Sequence, residues 1–174
     1  SLFLSDNSNS YPYFKTTVDI WKIKYVWIIS KLKDYELYNY INHTVLFDKA
    51  SFSHYLSFHI SKTINFNFFE TVISNPYDLN GNKTGYDLSY FNPVIFYRPV
   101  EFYNGSADNS LMGVGLNFRL FKKYTLYSQF ILDDLLISSI KDKSGWWGNK
   151  YGIQAGIKGY DILRVPGLFA RLEL

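Results

Sequence analysis

Two runs of alternating residues, separated by only a short turn, limit this chain more than any other feature in it. Met112, Val114, Leu116, Phe118 and Leu120 are apolar, and Gly113, Gly115, Asn117 and Arg119 between them are small or polar. After Lys122 and Lys123 the alternation resumes, with Tyr124, Leu126, Phe130 and Leu132 set against Thr125, Tyr127, Gln129 and Asp133. Side chains along a β-strand point to opposite faces in turn, so a period of two means strand. Two such runs joined by a minimal turn mean a hairpin. The period leaves one matter open: the apolar face can look into a protein core or out into lipid.

The same period recurs along the chain. Residues 18–29 read as a strand with Trp21, Ile23, Tyr25 and Trp27 on one face and Lys22 and Lys24 on the other. Residues 54–61 set Leu56, Phe58 and Ile60 against Ser57, His59 and Ser61, and residues 63–73 set Ile64, Phe66 and Phe68 against Asn65, Asn67 and Phe69. Residues 148–158 and 168–174 alternate likewise, with Tyr151, Ile153, Ala155 and Ile157 on one stripe and Leu168, Ala170, Leu172 and Leu174 on another. The connections run long (30–52, with a helical turn expected at 35–41), short (62), long (74–108), short (122–123), long (135–147) and shorter (159–166). Such alternation gathers the long loops at one end of an up-and-down meander, the habit of outer-membrane barrels. A Greek-key sandwich mixes its connection lengths. Strands of about 9–12 residues are long enough to cross hydrocarbon when tilted.

The residues between the apolar ones point the same way. Gly113, Gly115, Gly152, Gly156, Asn65, Asn67, Gln129 and Gln154, with scattered charges at Arg119, Lys158 and Arg171, suit a crowded polar lumen better than an open wet surface. Aromatic residues are abundant, with 16 Tyr, 15 Phe and 4 Trp. They suit both strands and the girdles of membrane barrels, where Phe118, Phe121, Tyr124, Trp146 and Trp147 would sit near the boundaries. Cysteine is absent, which excludes disulfides and thiolate metal sites. A net charge of +3 with scattered lysines leaves no nucleic-acid footprint. The predicted fold is therefore all-β: part of an antiparallel up-and-down transmembrane β-barrel of roughly eight strands, with long extracellular loops and lipid as its partner. Because alternation is still running at Leu174, residues 1–174 are expected to be one barrel segment of a longer protein, aggregating or needing detergent when alone.

Four segments, HYLSFHISKTINFNFFETVI (54–73), NPVIFYRPVEF (92–102), GSADNSLMGVGLNFRLFKKYTLYSQFILDD (105–134) and GWWGNKYGIQAGIKGYD (145–161), carry a likeness in their order and spacing. Over about residues 50–174 the chain resembles the Bacteroidota outer-membrane barrels of the Wzi-like capsule assembly family, some of them associated with gliding motility. The resemblance implies an outer-membrane location and a larger barrel. It also implies a non-catalytic role in binding, assembling or retaining capsular or other surface polysaccharide, as the founding lectins do. The alternative it implies is a structural or adhesin-associated barrel of gliding or surface motility, with other envelope proteins as partners. No ligand residue of the family matches a position here.

The residues themselves offer one ligand candidate. Tyr97, Arg98 and Glu101 in the segment 91–108 (FNPVIFYRPVEFYNGSAD), with Trp146 and Trp147, combine ring faces with charged donors and acceptors, as sugar recognition does. The sequence favours reading the same segment, 92–108, as a plug folded back into the barrel, which can still line a glycan site, and the two tryptophans as girdle anchors. Catalysis is not expected. Glycoside hydrolysis needs two carboxylates about 5–9 Å apart, but Asp133 and Asp134 point to opposite faces of a strand. Those acids, with Glu101 and Asp108, read as solvated groups or as partners of Arg98 or Arg119. Ser57 and His59 share the polar face, but no G-x-S-x-G turn occurs. Three histidines without a clustered carboxylate make no metal site, and no cofactor is implied.

Overall fold

The computed structural model describes residues 10–34, 47–76, 82–83, 85–94, 96–104, 108–133 and 150–174, with the backbone alone for 34, 47 and 101–104. Eight strands form one antiparallel sheet: β1 (Tyr13–Ile20), β2 (Ile23–Asp34), β3 (Phe47–His59), β4 (Ile64–Ser74), β5 (Asn109–Leu120), β6 (Tyr124–Asp133), β7 (Lys150–Tyr160) and β8 (Phe169–Glu173). Their order in space is their order in the chain, so the sheet is an up-and-down meander. β1 and β8 are its outer strands and do not pair with each other, which leaves the sheet open among the described residues. The strand ends joined through 21–22, 60–63, 121–123 and 161–168 lie at one end of the sheet, and those that flank 35–46, 75–108 and 134–149 lie at the other. The helical turn expected at 35–41 falls outside the described residues.

One expected strand is two. Residues 18–29 are interrupted by a turn at Trp21 and Lys22, with Ile20 paired to Ile23. Trp21 has φ 52°, the left-handed region that hairpin turns usually fill with Gly, Asn or Asp. Aromatic and basic residues stand where those types would have marked the turn, so the alternation reads straight through it. β2 and β3 also reach further into 30–52 than expected. There the apolar stripe gives way to charge: Lys31 Nζ lies 2.8 Å from Asp48, which Lys33 also contacts.

Register assigns every strand residue to a face. One face carries Ile23, Tyr25 and Trp27 of β2, Leu56 and Phe58 of β3, Phe66 and Phe68 of β4, and Val114, Leu116 and Phe118 of β5. Phe130, Ile153 and Leu172 continue it to the β8 edge. The other face carries Ser51, Ser53, Ser57, Asn65, Asn67, Asn117, Gln129, Gln154 and Lys158. From β5 to β8 burial runs opposite to that of a soluble sheet, while Ala50, Phe52 and Val72 at the long-loop end of the apolar face are covered. Ser53, Ser57, Asn67 and Thr71 on the polar face are enclosed, whereas Leu116 is 46%, Ile153 66% and Leu172 70% exposed on the apolar face.

Glycines explain the crowding. On the polar face Phe69 pairs with Gly113, Asn67 with Gly115 and Tyr127 with Gly156, so each large side chain lies across a cross-strand glycine. A Cβ at Gly113 would come 2.5 Å from both the Phe69 ring and the Phe130 carbonyl oxygen. The ring can swing aside, but the backbone oxygen cannot. Gly113→Ala is therefore expected to cost about 1–3 kcal/mol, seen as a lower urea midpoint in detergent; an unchanged midpoint would refute this packing.

The connection between β4 and β5 is structured over its described residues. It contains a 3-10 turn (Leu88–Phe91) and helix α1 (Tyr97–Asn104), and it packs on the apolar face, where α1 meets β4 and β5. Tyr90 and Tyr97 close over Ala50, Phe52 and Val72, forming a small dry core at the long-loop end, with Ile29, Tyr86 and Val100 around it. Phe52 meets the Tyr90 ring at 5.6 Å and the Phe91 ring edge-on at 5.1 Å. Pro99 falls in the first turn of α1, where its missing N–H breaks no helical bond.

Candidate functional site

The polar face of β3–β8 carries most of the chain's undirected chemistry. Asn117 Nδ2 donates to Asn65 Oδ1 at 3.3 Å, and Asn65 Nδ2 donates to Ser57 Oγ at 2.7 Å. Nearer the β8 edge, the Tyr127 hydroxyl donates to Glu173, and Arg171 Nε donates to the Tyr127 oxygen at 2.9 Å. Arg171 also forms an ion pair with Glu173. A concavity of about 350 Å³ holds this triad together with Gln129, Gln154 and Lys158. Its wall includes the Tyr160 and Phe169 rings, 4.8 Å apart. A second concavity, of about 330 Å³, is lined from Ser57 and His59 on β3 to Lys158 on β7. A flat sheet cannot hollow out beneath five strands, so this one bends toward its polar side. Both volumes fall at the low end of small-ligand sites.

The apolar face hides a second constellation. His54, Glu70 and Tyr97 are each about 1% exposed. His54 Nδ1 lies 3.2 Å from Glu70 Oε1, and its Nε2 lies 2.8 Å from the Tyr97 hydroxyl. The carboxylate at Nδ1 and the phenol at Nε2 hold the ring between them, and the one Tyr97 hydroxyl proton is shared between Nε2 and the Tyr90 carbonyl, 2.9 Å away. Glu70 also receives the Phe96 and Tyr97 backbone N–H groups, the latter at 2.9 Å, so a buried carboxylate caps the positive end of α1. Phe96 has φ 91°, a costly conformation for an aromatic residue, and its bond to Glu70 holds it there. Burial pushes the Tyr97 phenol well above its ordinary value; the Trp27 indole N–H opposes this, and Tyr25 and Glu70 add to it. Tyr97 therefore acts as a permanent donor. Tyr25 completes the clasp by donating to the Pro93 carbonyl. Every partner in this network fastens the 90–97 segment to β2–β4, and the chemistry is that of a clasp.

The expected ligand residues divide accordingly. Tyr97 is enclosed, with its hydroxyl committed to His54 and to the Tyr90 carbonyl. Arg98 follows it on α1, half-buried. The Glu101 side chain, Trp146, Trp147 and Asp134 lie outside the described residues. Asp108 serves the fold, accepting from Asn75 N at 3.0 Å and the Tyr90 hydroxyl at 2.9 Å. Asp133 ends β6 on the polar face, across from Leu111 and Lys150. His54 lies on the opposite face from Ser57 and His59, so the three cannot form one site. Sequence reasoning missed Glu70, although it interrupts the stripe Ile64, Phe66, Phe68, Val72 as His54 interrupts that of Phe52, Leu56 and Phe58; two ionisable breaks in register were a readable sign of a buried pair. Among the described residues no group of His, Asp and Glu is arranged to hold a metal, and no helix is long and apolar enough to cross a membrane. No family model, curated protein or solved structure matches the chain.

Proposed function

We propose that this sheet is part of the wall of an outer-membrane β-barrel that binds surface polysaccharide on its polar face without catalysing a reaction. The observation that carries the reading is the inversion of burial: amides, hydroxyls and glycines are packed together while Val114, Leu116, Ile153 and Leu172 stand bare. Water disfavours such an apolar surface by roughly 25 cal/mol per Å², whereas acyl chains do not. Supporting features lie at both ends of the stripe. Trp21 (88% exposed) and Phe121 (87%) project from the short turns, as interfacial anchors do, and the Lys31–Asp48 pair marks the other boundary. A shallow apolar groove over Ser128 and Ala155 has the form to receive an acyl chain.

Saccharide is the favoured ligand because the 350 Å³ concavity mixes exposed ring faces with amides and an Arg–Glu pair. Tyr127 is its centre, with the Arg171 guanidinium 5.8 Å from the ring centroid. In an array of bacterial surface polysaccharides, the full chain in detergent is expected to bind at least one glycan. Tyr127→Ala should weaken that binding by about tenfold, the worth of one stacking contact. An array without any binding would overturn the polysaccharide reading and leave a structural wall, the role expected of a motility-associated barrel.

A further inference from the structure

We infer that the short-turn end of the polar face holds a site for an anionic group, the carboxylate or phosphate of an acidic saccharide; this deepens the polysaccharide reading and rests on it. The 330 Å³ concavity there is lined by His59, Lys62, Asn65, Asn117, Arg119, Thr125 and Lys158 among others, and no carboxylate is among its described lining residues. Arg119 pairs in register with Thr125, and Thr125 with Lys158. Two cations therefore flank one hydroxyl, about 10 Å apart at their Cα atoms, which is twice the strand spacing. Both are within reach of a single bridging anion.

Among the described residues, two other cations on this face are paired, and these two are not. Arg171, next in the same row, is neutralised by Glu173, and Lys24 on β2 lies 3.9 Å from Asp19. Arg119 and Lys158 have no ion-pair partner among the described residues. Around them stand donors of the kind an oxyanion takes: the Asn117 amide, the Thr125 hydroxyl and the His59 ring. A guanidinium presents a planar fork that matches carboxylate or phosphate, and the ammonium adds a point charge. The adjoining turns contribute Lys62, Lys122 and Lys123, so the whole mouth carries a positive potential that draws anions toward the pair. A neutral glycan would gain nothing from this arrangement.

The test uses the full chain in detergent micelles, titrated calorimetrically with oligogalacturonate, with its fully methyl-esterified counterpart and with inorganic phosphate. The charged oligomer is expected to bind, to weaken in high salt, and to exceed the neutral ester by about tenfold or more, the worth of a charge-assisted contact. Arg119→Gln with Lys158→Gln should remove that advantage while circular dichroism shows the same sheet. Phosphate binding lost in the double variant, with neither oligomer bound, would uphold the anion site and count against the saccharide reading. Equal binding of charged and esterified oligomers, unaffected by the double variant, would overturn the anion site and spare the saccharide reading. Binding of none of the three would overturn the site outright.

Discussion

A chain carrying Val114→Arg and Ile153→Arg is expected to lose its capacity to insert into phosphatidylcholine vesicles. The two positions lie in one cross-strand row, through Phe130, and both side chains are exposed on the apolar face. An arginine facing lipid near the bilayer midplane costs about 2–4 kcal/mol in a membrane barrel. Two in the same row approach the whole stability of an ordinary domain, about 5–15 kcal/mol. The neighbouring change Gln154→Arg moves the same charge to the opposite face and should be tolerated. Protease protection and circular dichroism in vesicles provide the readout. If the double variant inserts as well as the parent, or if the parent folds as a soluble monomer without lipid, the apolar face does not meet hydrocarbon.

Removing the Glu70 carboxylate is expected to be the most destabilising single change in the long-loop half of the sheet. Glu70→Ala leaves His54 Nδ1 and the Phe96 and Tyr97 N–H groups without their acceptor, and His54 and Tyr97 are closed to water. Leaving a buried donor without its acceptor costs about 1–3 kcal/mol, and here two enclosed donors, His54 Nδ1 and Tyr97 N, lose theirs. Tyr25→Phe, which removes only the donation to the Pro93 carbonyl, should cost about 1 kcal/mol. The effect has a local signature as well, because α1 loses the cap that holds its first turn. Chymotrypsin should then cut after Phe96 or Tyr97 well before the strands unfold. Equal urea midpoints for Glu70→Ala and Tyr25→Phe, with chymotrypsin cutting at 96–97 no faster, would show that the network does not hold the segment down.

Legibility differed from element to element for physical reasons. β5 and β6 were plain because Met112 through Leu132 keep the period on both sides of a recognisable turn. β1 was lost because Trp21 and Lys22 bridge two strands without a turn residue. The outer ends of β2 and β3 look like loop in sequence because Lys31, Lys33 and Asp48 occupy the apolar stripe as a charge cluster. Of the candidate site, the aromatic and basic character of 91–108 was visible, but its destination was not. Tyr97 reads as a ring available to a ligand and is instead sealed against His54, which lies 43 residues earlier in the chain. The polar concavities were invisible in sequence, since each combines residues of several strands that only register aligns.

What the sequence alone determined is the strand period, the two-faced character of the sheet and the alternation of connection lengths. These follow from residue type at neighbouring positions, and a two-residue repeat needs no distant partner to be read. Tertiary structure decided which face is crowded and which is bare, where the 85–104 segment lies, and which charges meet. Glu70 and His54 look like two unrelated interruptions until the β3–β4 register sets them opposite each other. Arg119 and Lys158 become one site only because β6 places Thr125 between them. Contacts across a sheet depend on register, and register is a property of paired strands that no single stretch of chain contains.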